Sequence, residues 1–140
     1  MGLFDYFKKE DKKEFRLKPE EFRNLIDWNE PNGDGCIASD RITKDGFKVG
    51  YMVRNNPNDS MPDSGWWFYT GDEDEKYCNN SKNFNIFSLN TICNYDPDII
   101  KYLHSKIGTE YIRVDNSNFE LDDGTKKIFI TKQDRFKNYK

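Results

Sequence analysis

Few residues of this chain combine the types and spacing that catalysis requires. The single histidine, His104, lies near the end of a predicted helix, where a protonated imidazole would complement the negative end of the helix dipole. Cys93 lies at helical spacing with Leu89, which is typical of a small buried residue. The alternative is a nucleophilic pair of Cys93 and His104, because an imidazole can activate a thiol. We favour the packing roles and predict no catalytic residue.

Metal binding is not indicated by the spacing of cysteines or carboxylates. Cys36, Cys78 and Cys93 are odd in number and lack C-x-x-C spacing, so neither a disulfide framework nor a zinc site is predicted. Residues 72–75 are four consecutive carboxylates, but they lack the ligand spacing of a calcium loop. We therefore predict no metal and no cofactor.

The carboxylates at residues 72–75 are instead candidates for contact with a partner. Such a run is typical of a solvated turn, and it can also steer a basic partner surface toward the protein. Because solvated charges contribute little to stability, we expect reversal of two of them to lysine to leave the melting temperature nearly unchanged. The candidate partner-binding residues of this turn are Asp72, Glu73, Asp74 and Glu75.

An aromatic segment precedes the acidic turn and supplies the other candidates. Residues 66–69 read Trp-Trp-Phe-Tyr and predict a strand, in which alternate side chains face opposite ways. We expect Trp66 and Phe68 to fill the core. Trp67 and Tyr69 would then contact a partner or pack under a second layer. A stacking platform for sugars or bases is a further alternative, because every ring offers a π-face.

Composition predicts a single domain centred on a sheet. The length of 140 residues suits one core, and 22 aromatic residues (11 Phe, 8 Tyr and 3 Trp) must supply much of the buried surface. Ala38 is the only alanine, whereas exposed helix positions usually carry strong helix formers. We therefore predict an α+β fold: one domain with a mostly antiparallel β-sheet, covered by two or three short helices.

Turn signals and apolar spacing divide this domain into strands and helices. The predicted strands are residues 36–43, 47–54, 65–70, 111–114, 119–121 and 127–130. The first two form a hairpin through residues 44–46, because Gly46 tolerates the positive φ of such a turn. The predicted helices begin at Pro19, span the helical spacing of Ile86 to Cys93 with a cap at Ser88, and run from Asp96 to Gly108.

Both ends of the chain differ in composition from the predicted domain, residues 18–131. Residues 1–17 are a charged leader, either loosely attached or an amphipathic helix for a membrane or partner, and residues 132–140 are a basic tail. Residues 55–75 hold six acidic side chains and no Lys or Arg, so we predict no nucleic-acid partner. No apolar run approaches a membrane span, so we expect a soluble, cytoplasmic protein.

Six short motifs occur in order along the middle of the chain. They are Ile37-Ala38-Ser39-Asp40-Arg41-Ile42, Lys48-Val49-Gly50-Tyr51-Met52-Val53-Arg54, Asp63-Ser64-Gly65-Trp66 with Phe68, Gly71-Asp72-Glu73, Leu89-Asn90-Thr91-Ile92 and Asn94-Tyr95-Asp96-Pro97-Asp98-Ile99. In this series the chain resembles the bacterial immunity protein family numbered thirty-three of polymorphic-toxin systems, formerly a domain of unknown function. The resemblance covers residues 36–113, a little over half the chain.

The resemblance implies a non-enzymatic protein that binds and neutralises a cognate protein toxin and so protects the producing bacterium. It supplies no catalytic residues. Trp67 stands where the family pattern leads us to expect a polar residue, which makes it a candidate specificity contact. Two alternatives remain, a small-ligand-binding module that uses Trp67 and Tyr69, and a scaffold protein. The sequence makes no prediction of the oligomeric state.

Overall fold

A six-stranded β-sheet forms the centre of the protein. The structure is a computed structural model, and it describes residues 13–132. The strands are β1 (Gly35–Ser39), β2 (Tyr51–Arg54), β3 (Trp66–Tyr69), β4 (Phe84–Ser88), β5 (Glu110–Arg113) and β6 (Phe119–Leu121). Their order across the sheet is β4-β1-β3-β2-β5-β6, and only the β1–β3 pair is parallel. The predicted α+β domain with a mostly antiparallel sheet is confirmed.

The helices are short and lie between the strands. The α-helices are α1 (Asp40–Thr43), α2 (Glu75–Cys78) and α3 (Leu89–Tyr95), and the 3₁₀ helices are Pro19–Glu21, Ser81–Asn83 and Pro97–Tyr102. The predicted caps are confirmed, because Ser88 Oγ accepts from Thr91 N at 3.1 Å and the Asp96 carboxylate accepts from Asp98 N at 3.1 Å. Between residues 13 and 132, no helix has the length and apolarity needed to cross a bilayer.

The core lies on one face of the sheet, beneath α3 and the 3₁₀ helix Pro97–Tyr102. Trp66 and Phe68 point into it and are fully buried, as predicted. The indole Nε1 of Trp66 donates to the Leu103 carbonyl at 2.9 Å, so its one polar atom is satisfied inside the core. Cys93 is also fully buried, as predicted, and burial raises the pKa of its thiol to about 12.

A buried ion pair fastens the 3₁₀ helix Pro97–Tyr102 to the sheet. Arg113 Nη2 on β5 lies 2.7 Å from Asp96 Oδ2, and both side chains are almost completely excluded from water. The same Asp96 oxygen accepts from Val49 N at 2.9 Å, and Arg113 Nε donates to the Val49 carbonyl at 2.7 Å. Each charge is therefore both paired and hydrogen-bonded, as burial requires.

The helix predicted from Pro19 is wrong beyond Glu21, and Phe22 to Ile26 are not helical. Side-chain amides of α3 take the place of a helical ladder. Asn94 Oδ1 accepts from Arg23 N at 2.9 Å, and Asn90 Oδ1 accepts from Leu25 N at 2.7 Å. The backbone of this segment is satisfied by tertiary contacts, which removes the need for a helix.

The predicted hairpin of residues 36–43 and 47–54 is also wrong. The first strand ends at Ser39, whose Oγ accepts from Arg41 N at 3.1 Å and caps α1. In the sheet β1 lies between β4 and β3, while β2 pairs with β3 and β5. Gly46 has the predicted positive φ of 85°, but its turn follows a helix and does not join two paired strands.

Two further elements differ from the prediction. Ile86 belongs to β4 and is 60% exposed, so it does not begin the buried face of a helix. Residues 127–130 form no strand. Phe129 N donates to the Arg113 carbonyl at 3.0 Å, and an isolated bridge joins Phe47 to Lys132.

The predicted leader and tail lie mostly outside the described residues. Residues 1–12 of the leader and 133–140 of the tail are not described. The last part of the leader, residues 13–17, belongs to the domain, because Arg16 N donates to the Thr43 carbonyl at 2.8 Å and Leu17 is buried.

Candidate functional site

The face of the sheet opposite the core carries a continuous set of apolar side chains, which we call the open face. The register places Ile37 on β1 opposite both Ile86 on β4 and Trp67 on β3. On the other side of β3, Val53 of β2 lies opposite Trp67. The members of the open face are Ile37, Tyr51, Val53, Trp67, Tyr69, Phe84 and Ile86.

The aromatic rings of the open face contact one another. Trp67 stacks on Tyr69 with 6.3 Å between ring centroids, and Phe84 lies 6.1 Å from Trp67 and 5.7 Å from Tyr69. Tyr51 approaches Tyr69 at 5.6 Å. All four side chains are half-buried. The predicted orientation of Trp67 and Tyr69, away from the core, is confirmed; their role in binding stays a prediction.

Two grooves flank Trp67 on the open face. The larger, of about 570 Å³, lies toward α2 and is lined by Cys78, Phe84 and Ile86 among others. The smaller, of about 320 Å³, lies toward loop 55–64 and includes Met61 and Asp63. Ile37, Trp67 and Ile86 line both grooves, so these side chains form the ridge between them.

The acidic turn lies beyond Tyr69, at one end of the open face, and three of its four carboxylates accept hydrogen bonds from within the protein. Asp72 receives two hydrogen bonds from Arg41, at 2.9 and 2.6 Å. Glu73 accepts from the backbone of Thr70 and Gly71 at 2.9 and 2.8 Å. Asp74 caps α2 by accepting from Tyr77 N at 2.8 Å, and Glu75 is exposed in the first turn of that helix.

These contacts correct the expectation that the turn is simply solvated. A carboxylate that holds a turn or caps a helix contributes to stability, so we now expect reversal of Asp72 and Glu73 to lysine to lower the melting temperature. Burial alone would raise the pKa of Asp72, but the hydrogen bonds from Arg41 and Thr70 outweigh it and lower this pKa. Asp72 is therefore firmly ionised at neutral pH.

The titratable groups beside Trp67 are suited to contact and not to nucleophilic chemistry. Burial, with smaller contributions from Cys78 and Glu73, raises the pKa of Tyr69 to about 12. Burial and the charges of Glu73 and Asp74 also raise the pKa of the Cys78 thiol. Both groups stay protonated at neutral pH, and a protonated thiol is a weak nucleophile.

His104 has a different role from the predicted one. Its ring stacks on Trp28 with 4.7 Å between centroids, and its Nδ1 lies 2.7 Å from Glu30 Oε2. Its side chain is 64% exposed, whereas Cys93 is buried in the core, so a nucleophilic Cys93–His104 pair has no support. Within residues 13–132, no group of three or more His, Cys, Asp or Glu side chains is placed to hold a metal ion.

Sequence reasoning missed five members of the open face, Ile37, Tyr51, Val53, Phe84 and Ile86. The available signal for two of them was the alternation of Phe84 and Ile86 with Asn83 and Asn85, which is typical of a strand. The helical spacing that links Ile86 to Leu89 and Cys93 concealed it. Because β4 is followed directly by α3, its last residues fit the alternation of a strand and also the apolar spacing of the helix.

A family model described as the immunity protein Imm33 domain matches residues 36–122. Neither a curated protein nor a solved structure matches the chain. The matched range extends nine residues beyond the resemblance found in the sequence, from 113 to 122, and so includes β6 as well. It also contains the open face and the acidic turn.

Proposed function

The chain belongs to the Imm33 immunity protein family, and from this membership we propose that it binds a cognate bacterial toxin directly and neutralises it without catalysing a reaction. The observation that carries the proposal is the family match over residues 36–122, which contains every strand of the sheet except the first residue of β1. We further propose that the protein acts in the cytoplasm of the bacterium that makes the toxin.

The toxin docks on the open face, with Trp67 and Tyr69 as central contacts. Tryptophan and tyrosine are enriched among the residues that dominate interface energies. Here both rings are held in place by neighbours, since Trp67 contacts Tyr69 and Phe84, and Tyr69 also contacts Tyr51. A preformed ring loses little conformational freedom on binding, which favours affinity.

The acidic turn supports docking through its charge and its position. Asp72 and Glu73 fix the turn, while Asp74 and Glu75 present exposed negative charge beside α2. A negative rim speeds association with a basic toxin surface and helps to set its orientation. Of the candidate residues, Asp74 and Glu75 are therefore the ones we assign to electrostatic contact.

The test is protection from a toxin, which is first sought among the proteins encoded beside this gene. Co-expression with the wild-type protein should restore bacterial growth, and titration calorimetry should show direct binding. Trp67→Ala should weaken both effects. Leu25→Ala is the matched control, because Leu25 is 39% exposed on a segment that contacts α3, on the core side of the sheet. Failure of the wild-type protein to protect or bind would refute the proposal.

A second candidate function is the binding of a small ligand in the larger groove. Its volume of about 570 Å³ is in the range of small-molecule sites, and its lining combines the apolar Trp67 and Phe84 with the polar residues Asn79 and Ser81. A rise in melting temperature with a small molecule, lost in Trp67→Ala and independent of any protein partner, would favour this function.

A further inference from the structure

The two edges of the sheet differ in how they are protected. Edge strands usually carry charges or proline, which discourage pairing with another chain. The β6 edge has Glu120 within the strand and Asp122 and Asp123 directly after it. The other edge, β4, reads Phe-Asn-Ile-Phe-Ser, without a charge or proline, and exposes 60% of Ile86. Among residues 13–132, the β4 edge is therefore open to an added strand.

The hydrogen-bond pattern shows which groups of β4 point outward. Leu89 N donates to the Asp34 carbonyl at 2.8 Å, which makes this pair hydrogen-bonded. Hydrogen-bonded and non-hydrogen-bonded residue pairs alternate along an antiparallel ladder. The backbone N–H and C=O groups of Phe87 and Asn85 therefore point toward β1, and those of Ile86 point away from it. Within residues 13–132 no strand pairs with this outer side of β4. The Ile86 N–H and C=O are thus positioned to receive another backbone.

We propose that an extended segment of the toxin pairs with the outer edge of β4 and becomes a seventh strand of the sheet. This inference rests on the proposed function and specifies how the toxin is held. Backbone hydrogen bonds supply affinity in this mode, and pockets for alternate side chains supply specificity. The larger groove lies along β4 between Phe84, Ile86 and α2, where it accepts an apolar side chain from the added strand.

Charge around β4 defines the chemistry of that segment. The strand begins beside α2 and the acidic turn, and it ends beside Gly35, which lines the smaller groove together with Asp63. Residues 55–82 contain six acidic side chains and two lysines, and because Arg41 pairs with Asp72 the net charge of this region is 3 − 6 = −3. The matching segment therefore has apolar residues at its centre and Lys or Arg at its flanks.

The test uses Ile86→Pro, which removes the outward N–H and leaves the bonds between β4 and β1 intact. Proline is tolerated on an edge strand when its missing N–H faces solvent. Ile86→Thr is the matched control, because threonine keeps the N–H and the β-branched shape. With the same toxin, Ile86→Pro should bind at least about tenfold more weakly than Ile86→Thr, because both variants lose the isoleucine side chain and only proline also loses the N–H. Equal toxin affinities of the two variants would overturn the inference.

Amide hydrogen exchange of the wild-type protein supplies a readout that needs no substitution. In the free protein the Ile86 amide should exchange much faster than those of Asn85 and Phe87, and toxin binding should protect it. Equal toxin affinity of Ile86→Pro and wild type, or an Ile86 amide still unprotected in the complex, would overturn this inference alone. Absence of toxin binding by the wild-type protein would overturn the proposed function with it. A wild-type dimer that Ile86→Pro converts to a monomer would assign the edge to a second copy and overturn the assignment to the toxin.

Discussion

Substitution by alanine should affect different properties at the two adjacent tryptophans of β3, stability at Trp66 and toxin binding at Trp67. Trp66 is fully buried, stacks on Phe68 at 5.9 Å between centroids, and donates to the Leu103 carbonyl. Trp67 is half-buried on the open face. We therefore expect Trp66→Ala to reduce stability strongly and Trp67→Ala to reduce toxin binding.

The expected loss for Trp66→Ala follows from its burial and its hydrogen bond. Deletion of a buried large aromatic side chain costs about 3 to 5 kcal/mol, through lost transfer energy and the cavity left behind. The Leu103 carbonyl also loses its donor inside the core, which adds about 1 kcal/mol and places the total near about 5 kcal/mol. At about 3 °C per kcal/mol for a domain of this size, the melting temperature should fall by about 15 °C.

Trp66→Phe separates the two contributions. Phenylalanine retains a ring against Phe68 but has no N–H for the Leu103 carbonyl. Its cost should be about half that of Trp66→Ala, because the ring still fills most of the volume.

Trp67→Ala should lower the free energy of unfolding by only about 1 kcal/mol, the value of its ring contacts. Its toxin affinity should fall by about thirtyfold, which corresponds to the loss of a central interface tryptophan. Urea denaturation followed by circular dichroism measures the stabilities, and titration calorimetry measures toxin binding. A wild-type melting temperature for Trp66→Ala, or a larger stability loss in Trp67→Ala, would show that the two faces of β3 are assigned the wrong way round.

Three further substitutions test the ion pairs. Arg113→Met should lower the free energy of unfolding by about 3 to 5 kcal/mol, because Asp96 is left buried without its cation; a wild-type urea midpoint would contradict this. Asp72→Lys should cost about 1 kcal/mol after allowance for its partial exposure, whereas the exposed control Glu75→Lys should leave the melting temperature within about 1 °C. The hydrogen bond from Arg54 lowers the pKa of Glu30 below its ordinary value of 4.5, against the effect of burial. The ionised Glu30 therefore contributes its full stabilisation above about pH 4.5, and this stabilisation is lost as the pH falls through the lowered pKa. Glu30→Gln should therefore flatten the decline of stability in acid, and an unchanged pH profile would exclude this role.

The fold class could be predicted from sequence because the strongest local patterns agree with the tertiary structure. The alternation in β3 and the caps at Ser88 and Asp96 depend only on neighbouring residues. The order of the strands could not be predicted in the same way. Gly46 signalled a hairpin, but the pairing of β1 is decided by β3 and β4, which lie far along the chain.

The candidate site was predictable only in part. Trp67 and Tyr69 were found because both lie on one strand, whereas Ile37 and Ile86 join them only through the register of β1 with β3 and β4. For the acidic turn, the sequence predicted the residues but not their contacts. Its composition suggested free charge, but Arg41, 31 residues earlier in the chain, neutralises Asp72. Neither contact is visible in local sequence, because both are made between distant segments.

The position of β1 between two later strands also has a consequence for the timing of folding. Ile37 pairs with Trp67 and Ile86, which follow it by 30 and 49 residues (67 − 37 and 86 − 37). Sheets built from such distant pairs fold slowly, because long loops must close before any pairing energy is gained. At a synthesis rate of about 5 to 20 residues per second, β4 leaves the ribosome about 2 to 10 seconds after β1. During that interval the nascent chain carries β1 without its β4 partner, so resistance to misfolding in the cell depends on how the unfinished sheet is shielded.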